Sequence, residues 1–370
     1  MPSGGFRTNV GQFTVRSSVS SHRKPVLRLP AGKRAVIAAA AVLAVSAAGA
    51  IAVESALAGT GPAPATSRPG PGPGTAVGDV YQVPAAAQAA ARAFWTPSRM
   101  AVTVTPPVPQ SAATSKPGPR FAPAVSAQSV RKAAKSGKGA PAGTPNSWSF
   151  GGVPTVGALF YTTGSGKHFC TASVIHTAVG SIVLTAAHCV YTNGFARNLE
   201  FVPAYDNGRQ PYGVWAVTQI TVAWAWKQHQ DPNLDVAFLN VAAPPDAAGT
   251  VEQNTGALSI AFALPDAQKH VTVIGYNDTD QQPIRCTTST FRFRHLQMEF
   301  YCSGFWYGTS GGPWILRYNS GNGTGTVFGV IGGYEWGGYK SWASYSAAFE
   351  RPAQQLLKQA VTAAQSSRSA

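Results

Sequence analysis

The sequence predicts an all-β domain over residues 150–365 that ends in one α-helix and follows a long N-terminal region of different composition. From about Phe150 onward, short apolar runs recur between Gly, Pro, Asn and Asp, and many short strands at regular spacing are typical of a sandwich or a barrel. Near the chain end the apolar spacing becomes helical, at Phe349, Leu356, Leu357 and Val361. We therefore expect a terminal helix that packs on the β-domain.

Eight runs are predicted as strands because apolar residues fill them and turn residues bound them. They are Val156–Thr162, Ala172–His176, Ser181–Thr185, Gly213–Val222, Val236–Val241, Val271–Tyr276, Phe291–Tyr301 and Thr326–Ile331. None of these runs has the length and apolar character of a segment that crosses a membrane.

The net charge of +15 lies almost wholly outside the predicted domain. Residues 1–150 contain 16 basic and 2 acidic residues, which gives this region a net charge of +14. Residues 151–370 contain 13 basic and 12 acidic residues, which gives a net charge of +1. A basic folded face, the usual footprint of a nucleic-acid partner, is therefore not indicated. Basic and aromatic residues do not interleave repeatedly in the N-terminal region either, so we expect no nucleic-acid partner.

Residues 1–58 have the pattern of a signal peptide with an unusually long basic n-region. Residues 1–34 contain Lys and Arg but no acid, and the apolar run Ala35–Val53 follows them directly. The small residues Ala56-Leu57-Ala58 suit cleavage after Ala58. The alternative is a retained signal anchor, because 19 apolar residues can span a bilayer core of about 30 Å. Either way, the rest of the chain is predicted to lie outside the cytoplasm.

Residues 59–149 are rich in Pro, Ala, Gly and Ser, as in Pro69–Gly74. Such a composition buries too little apolar area to offset the conformational entropy of the chain. We interpret the segment as a disordered linker or pro-segment, with one short helical stretch around Ala85–Phe94. Four basic residues near its end are candidate processing sites: Arg131, Lys132, Lys135 and Lys138.

The hexapeptide Gly308–Pro313 is the strongest chemical motif in the chain. Its glycines let the backbone turn sharply around Ser310 and bring the N–H groups of Gly308 and Ser310 to one point. Hydrolysis of a peptide bond by a serine needs such donors for the developing oxyanion. A serine among glycines is by itself usually only a loop, so the motif needs partners.

The partners are a histidine and an acid, each at the end of a predicted strand. His188 lies in Thr185–Cys189, directly after the apolar run Ile182–Leu184, where a base could take the serine proton. Asp235 begins the run Asp235–Leu239, and a buried acid there needs the imidazole N–H as a partner. Asp231 is a rival for this acid, but it precedes Pro232 and suits a turn better.

His188, Asp235 and Ser310, in that chain order and within these motifs, resemble the chymotrypsin-like serine peptidase family over about residues 150–362. The resemblance implies two six-stranded antiparallel β-barrels, with the active site in the cleft between them and a C-terminal α-helix. His188 and Asp235 would come from the first barrel and Ser310 from the second. Gly308 and Ser310 would form the oxyanion hole.

The resemblance also assigns expected substrate contacts. Gly304, six residues before Ser310, would form the floor of the primary specificity pocket. Its wall strand would lie in Gly329–Tyr334, where Gly332, Gly333 and Tyr334 would pair with an extended substrate. Because position 304 carries no carboxylate, selection of Lys or Arg is not indicated.

Other residues near this pocket leave its specificity open. Glu335 could favour basic side chains or be an ordinary loop acid. Trp306, Tyr307, Tyr334 and Trp336 could line an apolar pocket or be core and rim aromatics. Glutamyl specificity would need a histidine or another basic group nearby, and no histidine follows His295.

The four cysteines all lie in the predicted domain, as expected for two disulfides in an exported protein. Four cysteines allow three pairings, and the resemblance selects Cys170 with Cys189 and Cys286 with Cys302. A zinc site is the rival interpretation, but no two cysteines have C-x-x-C spacing. No carboxylate cluster suggests calcium, and we expect neither a metal nor a cofactor.

One departure from the family concerns activation. Thr309 stands where animal members have an aspartate that pairs with the new N-terminal amine, so that switch is predicted to be absent. The bacterial glutamyl-endopeptidase members also lack this acid, and the short loops of the domain resemble them.

The sequence thus predicts a secreted, monomeric serine endopeptidase that acts on proteins or peptides. It would meet a membrane only transiently, through its signal segment, unless that segment is retained as an anchor. The alternative is a catalytically silent extracellular binding module on the same fold. A silent relative usually carries a substituted triad residue, and all three residues are present here.

Overall fold

The structure is a computed structural model that describes residues 77–101, 139–164, 166–278 and 281–368 of the 370-residue chain. The predicted signal segment and the four candidate processing sites lie outside the described residues. Within the described ranges, no helix is long and apolar enough to cross a membrane.

The described part of the chain contains sixteen short strands, and five α-helices join or flank them. In chain order the strands are β1 Gly78–Gln82, β2 Trp148–Ser149, β3 Val156–Thr163, β4 Gly166–Ile175, β5 Ile182–Thr185, β6 Arg197–Pro203, β7 Trp215–Ala223, β8 Ala237–Ala242, β9 Ser259–Ile260, β10 Val271–Tyr276, β11 Pro283–Thr288, β12 Thr290–Arg294, β13 Gln297–Tyr301, β14 Pro313–Asn319, β15 Thr324–Val330 and β16 Ala343–Ala347. The helices are α1 Ala85–Phe94, α2 Pro97–Met100, α3 Trp224–His229, α4 Val251–Thr255 and α5 Arg351–Arg368.

The first half of the β-domain is a closed antiparallel barrel of six strands. Its order is β7-β6-β3-β4-β5-β8, and a further pairing of β8 with β7 closes it. Leu159 and Phe160, neighbours on β3, are both fully buried. Because successive side chains of a strand point to opposite faces, β3 is covered on both faces.

The second half consists of two sheets. One has the order β2-β11-β10-β14-β15-β9, and the other has the order β12-β13-β16. The run Phe291–Tyr301, predicted as one strand, is instead a hairpin of β12 and β13, because Leu296 turns the chain with φ 57°. The all-β class is confirmed.

The predicted C-terminal helix is present as α5. Its buried residues recur at helical spacing and pack on β7 and β8: Ala353, Leu356, Leu357, Ala360 and Ala364. Of the residues that predicted it, Phe349 lies just before the helix and Val361 is partly buried.

Both predicted disulfides are present, Cys170–Cys189 in the first half and Cys286–Cys302 in the second. Cys170 lies on β4, and Cys189 directly follows His188. This bridge therefore ties the turn that carries His188 to the wall of the barrel.

Residues 77–101 depart from the predicted disordered linker or pro-segment. β1 pairs with β7, and α1 occupies the residues where a short helix was expected. Trp95 and Met100 belong to the same hydrophobic core as the barrel residues. Two large apolar side chains and a strand edge give this stretch enough burial to fold, which the Pro-rich composition around it concealed.

Candidate active site

Asp235 and His188 meet because β5 and β8 are antiparallel neighbours. Thr185, the last residue of β5, lies opposite Ala237, the first residue of β8. His188 follows β5 in a 3₁₀ turn and Asp235 precedes β8, so both reach the same end of the barrel. The register of two strands thus brings together residues 47 positions apart.

The carboxylate of Asp235 is fully buried and accepts three hydrogen bonds. Its Oδ2 lies 2.8 Å from Nδ1 of His188, and its Oδ1 accepts from the backbone N–H of His188 at 2.9 Å. The N–H of Gly333 donates to Oδ2 at 2.8 Å. These bonds offset the cost of burying the charge. Because a carboxylate only accepts, Nδ1 carries the proton and Nε2 is left as the acceptor.

Asp231, the rival acid, occupies the turn expected for it. Its side chain caps the 3₁₀ helix Pro232–Leu234 by accepting from the N–H of Asn233 at 2.9 Å. Among the residues that the structure describes, Asp235 is therefore the acid that bonds Nδ1 of His188.

Ser310 lies in a turn that needs glycine on both sides. Gly308 has φ +90°, and a Cβ there would lie 2.6 Å from the ring of Phe169 and from the carbonyl of Tyr276. Gly311 has φ +79° and donates its N–H to the carbonyl of Ile331 at 2.7 Å. Backbone freedom and close approach thus both require glycine here.

Thr171, on β4 of the first barrel, holds this turn in place, and the sequence motifs did not reveal its role. Its hydroxyl donates to the carbonyl of Gly308 at 3.0 Å, and its N–H donates to the carbonyl of Ser310 at 2.7 Å. With both carbonyls held, the N–H groups of Gly308 and Ser310 donate to nothing among the described residues. Two such free donors can bind an oxyanion.

Ser310 and His188 line one cleft with a volume of about 760 Å³. No hydrogen bond joins these two side chains within the described ranges, and such contacts are often long before substrate binds. Several aromatic residues line the cleft together with Ser310, among them Trp306, Tyr307 and Tyr339. Burial, followed by the charge of Glu335, raises the pKa of Tyr339, so its hydroxyl stays protonated.

Trp336 stacks on His188, with ring centroids 5.3 Å apart and planes 23° apart. It lies in the 3₁₀ turn Tyr334–Gly337, where Glu335 and Trp336 have φ of 53° and 54°. Left-handed backbone at two such residues is uncommon and costs free energy. The turn thus places an indole ring beside the imidazole.

The four residues expected to contact substrate lie outside the lining of this cleft. Gly304 is exposed, and its N–H donates to the carbonyl of Ser341. Gly332, Gly333 and Tyr334 follow the end of β15, and their N–H groups donate to Tyr345, Asp235 and Gln297. These donors are therefore not available to pair with an extended substrate. Gly332 instead packs closely against Asp235, because a Cβ at this position would lie 3.0 Å from Oδ2.

The side chains of Cys170, His188 and Cys189 form the one group in the described part of the chain that is close enough to share a metal ion. The disulfide between the two cysteines uses both sulfurs, so this group does not have the thiolates that a metal would need.

Comparison with known proteins identifies a family and a fold. The sequence model of the trypsin family matches residues 143–352, which is more than half of the chain. No curated protein sequence matches the chain. The residues 77–101 lie outside the family match.

Two solved structures of proteases share the fold of this chain, and a third is less similar. The protease Anisep from Arthrobacter nicotinovorans has 23% identity and a TM-score of 0.52, over 58% of this chain and 98% of that one. The thermostable serine protease AL20 from an extremophilic microorganism has 29% identity and a TM-score of 0.51, over 56% of this chain and 97% of that one. A Glu endopeptidase in complex with MPD has 15% identity and a TM-score of 0.47, over 59% of this chain and 97% of that one.

Proposed function

Since this chain belongs to the trypsin family of serine proteases, we propose that it is an exported, monomeric serine endopeptidase with His188, Asp235 and Ser310 as its catalytic triad. The observation that carries the proposal is the buried Asp235 carboxylate, which bonds both the backbone N–H and the Nδ1 of His188 beside the cleft of Ser310. Two disulfides are consistent with an extracellular protein.

Each residue has a distinct role in the proposed mechanism. The Oγ of Ser310 attacks the peptide carbonyl carbon while Nε2 of His188 takes the hydroxyl proton. The N–H groups of Gly308 and Ser310 stabilise the oxyanion. His188 then gives the proton to the leaving amine, and the acyl-enzyme forms. Water, deprotonated by His188, releases the acid and restores Ser310.

The cleft favours a substrate with a large apolar or aromatic side chain before the cleaved bond. Trp306, Tyr307 and Tyr339 line the same cleft as Ser310, and Trp306 is 41% exposed, so its ring can contact substrate. Arg197, Glu335 and Lys340 line the cleft, and these charges of both signs do not single out a charged side chain before the cleaved bond.

The test is intact mass of the purified protein before and after a fluorophosphonate probe, with the labelled peptide mapped. We expect stoichiometric labelling at Ser310 that His188→Ala abolishes. The same spectrum reports the mature N-terminus. A folded sample that takes no label would refute the protease proposal and favour the binding module.

A peptide library tests the specificity separately. We expect cleavage after aromatic or large apolar residues, with a lower kcat/KM for these peptides in Trp306→Ala. Preferred cleavage after Glu, Lys or Arg would contradict the proposed pocket while leaving the triad intact.

A further inference from the structure

Residues 77–101, here called the N-terminal arm, pack on the first barrel outside the region that matches the family. β1 adds a strand to the edge of β7, with paired residues from Gly78 opposite Ala223 to Gln82 opposite Gln219. The side chain of Gln359 on α5 bonds both the N–H and the carbonyl of Gly78. Backbone pairing of this kind is a specific mode of peptide binding.

Two buried side chains anchor the other end of the arm. Met100 is fully buried, and Trp95 is 5% exposed with its ring 5.3 Å from that of Phe160. The amide of Gln281, from the second half of the domain, donates to the carbonyl of Met100 at 3.0 Å. The arm therefore contacts both halves of the β-domain.

Between these anchors, the arm holds the cleft wall, defined as residues 191–198. The ring of Tyr81 stacks on Phe195, with centroids 4.3 Å apart and planes 14° apart. The indole N–H of Trp95 donates to the carbonyl of Asn198 at 2.5 Å. Phe195 and Asn198 both line the cleft that contains His188 and Ser310.

Lys227 links the arm to the same wall. Its ammonium pairs with Asp79 of β1 and lies 5.2 and 5.1 Å from the ring centroids of Tyr191 and Phe195. A cation over aromatic faces is attracted to both, so Asp79 and Lys227 fix the position of two cleft-lining rings.

We propose that the N-terminal arm remains bound in the working enzyme and positions the cleft wall for substrate, so that it is not a segment discarded on activation. The proposal rests on the proposed protease function. It predicts a two-chain enzyme if the chain is cut between the arm and the domain at any of residues 131–138. The pieces would be held without a covalent bond, since all four cysteines pair within residues 170–302.

The first test cuts the chain after it has folded. A recognition sequence for a highly specific endopeptidase is placed within residues 102–138 of the full chain, and the purified protein is cut. We expect the arm fragment to co-elute with the domain on size exclusion, with peptide hydrolysis kept within about 2-fold. Release of the fragment without loss of activity would overturn the proposal.

The second test weakens one contact. Tyr81→Ala should raise KM for an extended peptide by about 2- to 10-fold, the range expected for one aromatic pair. The rate at which fluorophosphonate labels Ser310 should stay the same, because the triad does not touch Tyr81. An unchanged KM would overturn the positioning role.

Trp148→Ala is the matched control. Like Tyr81, Trp148 is an exposed aromatic residue on an edge strand. Its ring contacts Arg285 and lies outside the cleft lining. Its KM should equal that of the parent protein. If fluorophosphonate does not label the full chain, the protease proposal has failed. If it labels the chain but KM is unchanged in Tyr81→Ala, only the positioning role of the arm has failed.

Discussion

Glu200 gives the sharpest prediction about stability, because it is a fully buried acid whose carboxyl oxygens have no hydrogen-bond partner among the described residues. It lies on β6 opposite Phe160 of β3, on the face that Trp95 of the arm covers. Both carboxyl oxygens are buried and make no hydrogen bond within the described residues. An unpaired buried charge is costly, so the neutral acid is favoured in the folded state.

Burial raises the pKa of Glu200 from 4.5 to about 8, against the opposing positive charge of Arg92. Between these two values the folded protein holds a proton at Glu200 that the unfolded chain has lost. The free energy of unfolding therefore falls as pH rises through this window, by about 1.4 kcal/mol per pH unit. Below the window the contribution is fully present, and above about pH 8 it is lost.

Glu200→Gln removes this titration and keeps the side-chain shape. The difference in unfolding free energy between the variant and its parent should grow in favour of the variant by about 3 kcal/mol from pH 5.5 to pH 7.5. Urea unfolding followed by tryptophan fluorescence, in a Ser310→Ala background that prevents self-digestion, measures both proteins at each pH.

Glu350→Gln is the control, since it removes a half-buried carboxyl just before α5. The reasoning is refuted if the difference between Glu200→Gln and its parent stays constant from pH 5.5 to pH 8.5. A difference of equal slope for Glu350→Gln would assign the effect to net charge and not to the buried site.

Three further predictions concern the site and the second half. Asp235→Asn should lower kcat by about 10⁴-fold in steady-state peptide hydrolysis while Asp231→Asn stays near the parent rate, and the reverse order would assign the orienting role to Asp231. Gly308→Ala should lower kcat by at least about 10²-fold, because its Cβ would displace the turn that presents the oxyanion donors; parent-like kcat would exclude that N–H from the oxyanion hole. Replacing Cys286 and Cys302 with Ser should lower the free energy of unfolding by about 2–4 kcal/mol in denaturant titrations, and an unchanged midpoint would contradict a stabilising bridge.

Local pattern predicted many of the strands with continuous apolar runs and missed two strands of mixed composition, β6 and β11. Val271–Tyr276 was predicted with the bounds that β10 has. β6 and β11 were not predicted, because Arg197, Asn198 and Glu200 interrupt the apolar pattern of β6 and β11 begins with Pro283. Their pairing partners supply the burial that their own sequences do not indicate, so only the assembled sheets reveal them.

The sequence by itself determined the three motifs that carry His188, Asp235 and Ser310, because each is a short signature next to a predicted strand. The family followed from the resemblance of these motifs, and that resemblance selected one of the three possible disulfide pairings. Only the tertiary structure decided that Trp336 stacks on His188, that Thr171 holds the turn of Ser310, and that the N-terminal arm belongs to the barrel. Such contacts join residues that are far apart in the chain. Their energy depends on burial and geometry, which composition and spacing do not encode.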